Sequence, residues 1–176
     1  GSSHLDVSII KLDSQSYKIL TEKGDTTGKQ FDDNVFNYVI EMMNRDYPQK
    51  VEFLSRPKTH SILRQKCEEA KFFLSEVEDI EDQLIFNLTI EKFNEINAPL
   101  FEKSMDPLKK LMGNFKGESI DHLFLVGGST FMKKIRELLI NITKKVPCPN
   151  IDPREAVSLG ACIAGAWNVY KEKKIF

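Results

Sequence analysis

Cysteine is scarce in this sequence of 176 residues: Cys67, Cys148 and Cys162 stand far apart and are odd in number. That usage points to neither a disulfide framework nor a zinc site, and a reducing, cytoplasmic setting is expected. Long apolar runs are missing too. Leu123-Phe124-Leu125-Val126 is among the longest, and a bilayer span needs about 20 such residues, so no membrane partner is expected. Charge of one sign is also lacking, since 25 Lys and Arg face 26 Asp and Glu, a net charge of -1. Without a basic field, nucleic acid is not an expected partner. Asp6 and Asp13 interrupt any targeting peptide. Gly1-Ser2-Ser3 reads either as a cloning remnant or as the continuation of a longer protein. His4, His60 and His122 have no partners at metal or triad spacing, and no nucleophile–base–acid set stands out.

What is present is ordinary for a globular protein, with 41% hydrophobic and 29% charged residues. Residues 5–12 are β-branched and apolar, Asp13 to Ser16 is a turn cluster, and Tyr17 to Thr21 resumes the alternation. The pattern predicts a β-hairpin, closed by the loop Gly24-Asp25-Thr26-Thr27-Gly28. Phe31, Val35, Tyr38, Val39 and Met42 recur at helical spacing, and a second helix is predicted over residues 59–77. A short strand is expected over Gln83–Leu88. Thr89 should then cap a helix bearing Phe93, Ile96, Leu100 and Phe101, which Pro99 and Pro107 bend or divide. The run Ile120–Val126 predicts a buried strand, and Met132, Ile135, Leu138 and Leu139 another helix face. Asp152-Pro153-Arg154-Glu155 reads as a helix start, with Asp152 as cap, Pro153 first and Glu155 reaching back. In the helix beyond it, Gly160, Ala161, Ala164 and Gly165 form a small-residue stripe against which a neighbour should pack. Gly160→Leu would then overpack the core by about 1–3 kcal/mol. The order of elements is that of an α/β fold with a helical insertion.

Chemistry is concentrated in a few places. A buried strand that delivers Gly127-Gly128-Ser129-Thr130 to a helix start suits a phosphate or nucleoside, because glycine lets a ligand touch backbone N–H groups. A tight turn without a ligand is the alternative. The Gly24–Gly28 loop allows the same two readings. Glu68, Lys71, Phe72 and Ser75 share a helical face that can hydrogen-bond a sugar, or that is merely a solvated face with a weak ion pair.

The order of these pieces carries more than any one of them. Asp6-Val7-Ser8, Gly24-Asp25-Thr26, Cys67-Glu68-Glu69-Ala70-Lys71 with Leu74-Ser75, Leu125-Val126-Gly127-Gly128-Ser129-Thr130 and Asp152-Pro153-Arg154-Glu155-Ala156-Val157 with Gly160-Ala161 occur in that order along the chain. The series resembles the second lobe of the nucleotide-binding domain of 70-kDa heat-shock chaperones, over residues 1 to about 168. The resemblance implies an actin-like, ribonuclease H-like ATPase lobe. Residues 1–28 and 111–176 would form its sheet-bearing subdomain, and residues 29–110 an inserted, mainly helical one. It implies ATP or ADP with magnesium in a cleft completed by a first lobe, and partners of the exchange-factor or J-domain type. Carried over by motif, Gly127, Gly128 and Ser129 would approach the nucleotide, and Glu68, Lys71 and Ser75 the adenosine. His4 would stand in the second phosphate loop. Phe72 and Phe131 replace two arginines that flank adenine in the family; the resemblance implies that the two rings either sandwich the base or fill a site no longer used for nucleotide, and Arg154 stands where an acidic residue is usual. These departures resemble divergent, ribosome-associated relatives that bind nucleotide without needing to hydrolyse it.

The resemblance also sets what is expected of activity. The first phosphate loop, the catalytic lysine, the interdomain linker and the peptide-binding domain have no counterpart in these residues, so the chain alone is expected not to hydrolyse ATP. It is expected to be an atypical chaperone's nucleotide-binding lobe. A fragment of a fully active chaperone ATPase, and a non-hydrolysing co-chaperone scaffold, are the alternatives.

Overall fold

The computed structural model describes residues 4–13, 16–54, 56–76, 88–115 and 119–173. The predicted hairpin is present. Strand β1 (Leu5–Leu12) runs antiparallel to β2 (Tyr17–Gly24), with Leu5 opposite Gly24 and Leu12 opposite Tyr17. Asp13 shapes the turn, its carboxylate accepting from the Ser16 N–H and hydroxyl at 2.7 Å each. Only part of the hairpin is covered. Ile9 is buried, whereas Ile10, Leu12, Tyr17 and Ile19 lie exposed.

Thr27 begins the first helix, α1 (Gly28–Asp46), through a capping box. Its hydroxyl accepts from the Gln30 N–H and the Gln30 side chain accepts from the Thr27 N–H. Phe31, Val35, Phe36 and Val39 make its buried stripe. After a 3₁₀ turn (Pro48–Lys50) come α2 (Val51–Leu54) and α3 (Pro57–Glu76). Residues 83–87 of the expected short strand lie outside the described residues, and Leu88 at its end is buried. Thr89 caps α4 (Ile90–Ile96) by accepting from the Lys92 N–H at 3.2 Å. Pro99 and Pro107 divide the next stretch, each standing in the first turn of its own helix, α5 (Ala98–Ser104) and α6 (Asp106–Asn114). Asn97 at the corner is fully buried; it donates to the Phe93 carbonyl at 3.0 Å and accepts from Asn34 of α1 at 3.1 Å. The end of the hairpin sits on α6 so closely that a Cβ at Gly24 would lie 2.7 Å from Cγ of Pro107.

The core joins α1, α3, α4 and α5 through Phe31, Val39, Leu63, Cys67, Phe93 and Phe101. Burial pushes the Cys67 thiol up to about 11. Met132 and Ile135, next to and within α7 (Lys133–Thr143), close the same core.

Two expectations fail here for stated reasons. The run Ile120–Val126 is not a strand; among the described residues it makes one parallel bridge, Leu123 with Pro147, supported by the Cys148 N–H on the Leu123 carbonyl at 2.9 Å. Its neighbour reads Pro147-Cys148-Pro149, and two prolines remove the donors a ladder needs. Phe124 and Val126 are consequently exposed. Among the described residues, the small-residue stripe of α8 (Ala156–Lys173) does not meet a neighbour either. A Cβ at Gly160 or Gly165 would find nothing within 4 Å, so Gly160→Leu has no core to overpack. The helix start moves as well: residues 153–155 form turns and α8 begins at Ala156. The Asp152 carbonyl accepts from the Glu155 and Ala156 N–H groups, while its carboxylate accepts from the Arg154 N–H at 2.8 Å.

Candidate functional site

Gly127 turns the chain at φ 92° and ψ 154°, a conformation open to glycine and strained for any L side chain. A 3₁₀ turn, Gly128–Phe131, comes immediately after it. Thr130 fastens it, its N–H and its hydroxyl both donating to the Gly127 carbonyl at 3.1 and 2.7 Å. The Gly127 N–H donates to the Pro153 carbonyl at 2.8 Å, which brings the 152–155 turn alongside. On another side the turn rests on α3, for a Cβ at Gly128 would stand 3.5 Å from Cε1 of Phe72. Two segments remote in sequence, the 152–155 turn and α3, thus converge on one glycine turn. Ser129 lies in it, partly buried, its carbonyl accepting from the Met132 N–H at 3.3 Å.

Helix α3 sorts its four candidate residues by their place around its circumference. Glu68 and Phe72 are exposed, Ser75 lies in the same helix, and Lys71 is buried. The Lys71 ammonium lies 2.7 Å from Oδ1 of Asp32, donates to Oδ2 at 2.8 Å and reaches the Gly28 carbonyl at 3.4 Å. It also stands 5.5 Å from the Phe72 ring centre. The weak pair between Glu68 and Lys71 that the spacing allowed is replaced by this buried pair across α1 and α3. Burial raises the Asp32 carboxyl above the usual carboxylate range; Lys71 opposes that shift, and Glu68 and Asp33 add to it.

Phe131 is met by two arginines in a way the sequence reading missed. The guanidinium carbons of Arg154 and Arg136 stand 4.9 and 5.2 Å from its ring centre, within cation–π range. Arg136 is fixed by donating Nε–H to the Thr130 carbonyl at 2.8 Å. Arg154 is fixed by Asp152, whose carboxylate accepts from Nη2 at 3.0 Å and from Nε at 3.3 Å. Those bonds hold the Asp152 carboxyl below its ordinary value. His4 is placed by the hairpin, exposed at the start of β1. Asp32 also escaped the sequence reading, although a signal existed: it stands directly after Phe31, beside the buried stripe, where a carboxylate needs a cation.

A cleft of about 170 Å³ lies elsewhere, between the end of β2 and helices α5 and α6, lined by Glu22, Asp25, Lys103 and Lys110 among others. Lys110 and Glu22 neutralise each other across it at 2.7 Å. None of Phe72, Gly127 or Phe131 lines it. Among the described residues no group of three or more His, Cys, Asp or Glu is arranged to hold a metal ion.

Comparison with known proteins agrees with the motif order. The family model described as Hsp70 protein matches residues 1–173. The chain is 34% identical to heat shock 70 kDa protein BIP3 of Oryza sativa subsp. japonica over 93% of its own length and 26% of that protein. It is 31% identical to heat shock cognate 70 kDa protein 3 of Dictyostelium discoideum, over 94% of this chain and 28% of the relative. It is 29% identical to the mitochondrial iron-sulfur cluster biogenesis chaperone of Saccharomyces cerevisiae, over 94% and 27%. The chain therefore spans about a quarter of the length of the curated relatives it matches. A family match over residues 1–173, with relatives 31–34% identical across nearly the whole chain, establishes that the chain belongs to the Hsp70 family, whose fold is that of the actin-like ATPases.

Proposed function

We propose that this chain forms one wall of an adenine-nucleotide cleft, as the second lobe of an Hsp70-type nucleotide-binding domain whose first lobe supplies the opposite wall. The observation that carries this reading is the seating of the Gly127–Gly128 turn on Phe72, so close that a Cβ added at Gly128 would stand 3.5 Å from the ring. Glycine there lets a ligand approach backbone N–H groups, and the half-exposed Phe72 ring offers an apolar plane beside them. Glu68, exposed one turn earlier on the same helix, can accept from ribose hydroxyls. These residue types fit a nucleoside.

In this reading residues 29–110 form an inserted subdomain between the sheet-bearing parts, residues 1–28 and 111–176. Lys71, tied to Asp32 and close to the Phe72 ring, acts by fixing the position of Phe72 more than by touching adenosine. Gly127, Gly128 and Ser129 orient the nucleotide, with Ser75 and His4 at its edges. When bound, the nucleotide brings magnesium, which polarises the phosphates; none of this chain's described residues is assigned to the metal. An exchange factor or a J-domain protein would act on the assembled cleft. A cytoplasmic setting rests on the cysteine usage alone.

A second reading, a scaffold that has abandoned the nucleotide, is favoured by the capping of Phe131 by Arg136 and Arg154. Calorimetric titration of ATP and adenosine into the full-length protein that carries this chain separates the two. Saturable binding is expected, weakened about tenfold by Phe72→Ala, because base–aromatic contacts are worth roughly 1–3 kcal/mol. No binding by the parent protein at millimolar ligand would establish the scaffold instead.

A further inference from the structure

Lys71 and Phe72, adjacent on α3, connect the two glycine loops that stand out in the sequence. Lys71 is 6% exposed, and its ammonium donates to the Gly28 carbonyl at 3.4 Å, at the end of the Gly24–Gly28 loop. Phe72 meets the other loop, its ring 3.5 Å from where a Cβ added at Gly128 would stand. Asp32 of α1 fixes the ammonium between them, with its carboxylate oxygens at 2.7 and 2.8 Å. Burial holds the Asp32 carboxyl above the usual carboxylate range despite that cation, so desolvation outweighs the attraction. Such a pair adds little net stability over apolar groups of the same volume. Its effect is on position.

We infer that Asp32 is a positioning residue for the nucleoside site, its ionised carboxylate holding Lys71, and through it Phe72, against the glycine turn; this rests on the nucleotide reading above. The charged and titratable groups facing the pair come from both helices. On α1, Asp33 is engaged by Arg64 of α3. On α3, Glu68 is exposed one turn before Phe72, and Cys67 is buried with its thiol pushed up to about 11. The Phe72 ring centre lies 5.5 Å from the ammonium, so a displacement of Lys71 reaches the ring directly. Protonation of Asp32 removes the charge that holds the ammonium and frees the Lys71–Phe72 segment to shift. By linkage, a bound nucleoside favours the ionised carboxylate.

Adenosine, which carries no phosphate, is the probe, titrated into the full-length protein from pH 8 to pH 5 with Asp32→Asn beside the parent. The parent's affinity should fall about fivefold toward pH 5 as Asp32 takes up a proton. Asp32→Asn keeps a hydrogen-bonding group without the charge, so it should bind about fivefold more weakly at pH 8 and fall no further. His4→Gln and Glu68→Gln remove the other titratable groups assigned to the ligand, and the fall should persist in both. Thermal unfolding at each pH is recorded alongside. A purely structural role would shift that unfolding and leave the pH profile of affinity unaltered. If Asp32→Asn does not fold, the profiles of the parent, His4→Gln and Glu68→Gln decide alone, and a fall lost in either variant counts against Asp32. A flat parent profile, or one that Asp32→Asn reproduces, would overturn the inference and leave the nucleotide site standing. A parent that binds no adenosine at pH 8 would overturn both.

Discussion

Lys71→Ala is expected to destabilise the fold by about 3–5 kcal/mol at neutral pH, because it leaves the Asp32 carboxylate buried without its cation. The two side chains are only 8% and 17% exposed and their charged atoms lie 2.7 Å apart. The loss should depend on pH, with a sign set by the direction of the Asp32 shift. Burial raises that carboxyl in the folded state, so the folded protein binds the proton more readily than the unfolded chain does. The stability this gives is fully present below the ordinary carboxylate range and is lost as pH rises through the raised value. Removing Lys71 removes the influence that opposed the shift, so the sensitive window moves upward. Urea unfolding at pH 7 and again near pH 5 should show a smaller deficit at the lower pH. Adding Asp32→Leu to Lys71→Met should recover most of the loss, since a buried pair replaced by apolar groups is often neutral. An equal deficit at both pH values would mean that Asp32 is not the group left behind.

Phe101→Ala should be comparably damaging, by about 3–5 kcal/mol, for a different reason. Its ring is 2% exposed and packs 5.0 Å from Phe31 and 6.1 Å from Phe93, so truncation leaves a cavity at the meeting of α1, α4 and α5. Leu12→Ala on the uncovered end of the hairpin, 75% exposed, should change stability by less than about 0.5 kcal/mol. Denaturant midpoints for the two variants measured together test the location of the core. Similar effects at both sites would show that the hairpin carries as much of the fold as the helices do.

Local signals were readable wherever one segment decides its own structure. The apolar stripe of α1, the Thr89 cap, and Pro99 and Pro107 each act within a few residues, and the elements they define stand where the spacing placed them. The run Ile120–Val126 misled because a strand depends on its partner, and Pro147 and Pro149 lie in the partner segment rather than in the run. Asp32 and Lys71 are separated by 39 residues, and no spacing within either helix announces their pairing. Arg154 was legible as a residue, but its stacking on Phe131 depends on how the 152–155 turn is tied to Gly127. Gly127 itself was visible as a turn residue, and the positive φ gives that glycine its physical reason.

Hydrogen exchange of the full-length protein with and without ADP tests the central claim most directly. Saturating ADP should slow exchange across the Gly127–Phe131 turn and the adjoining stretch Glu68–Phe72 of α3, because those are the segments that meet at the Gly128–Phe72 contact. Protection confined to residues around the Glu22–Lys110 cleft, or no protection anywhere in this chain at saturating ADP, would contradict it.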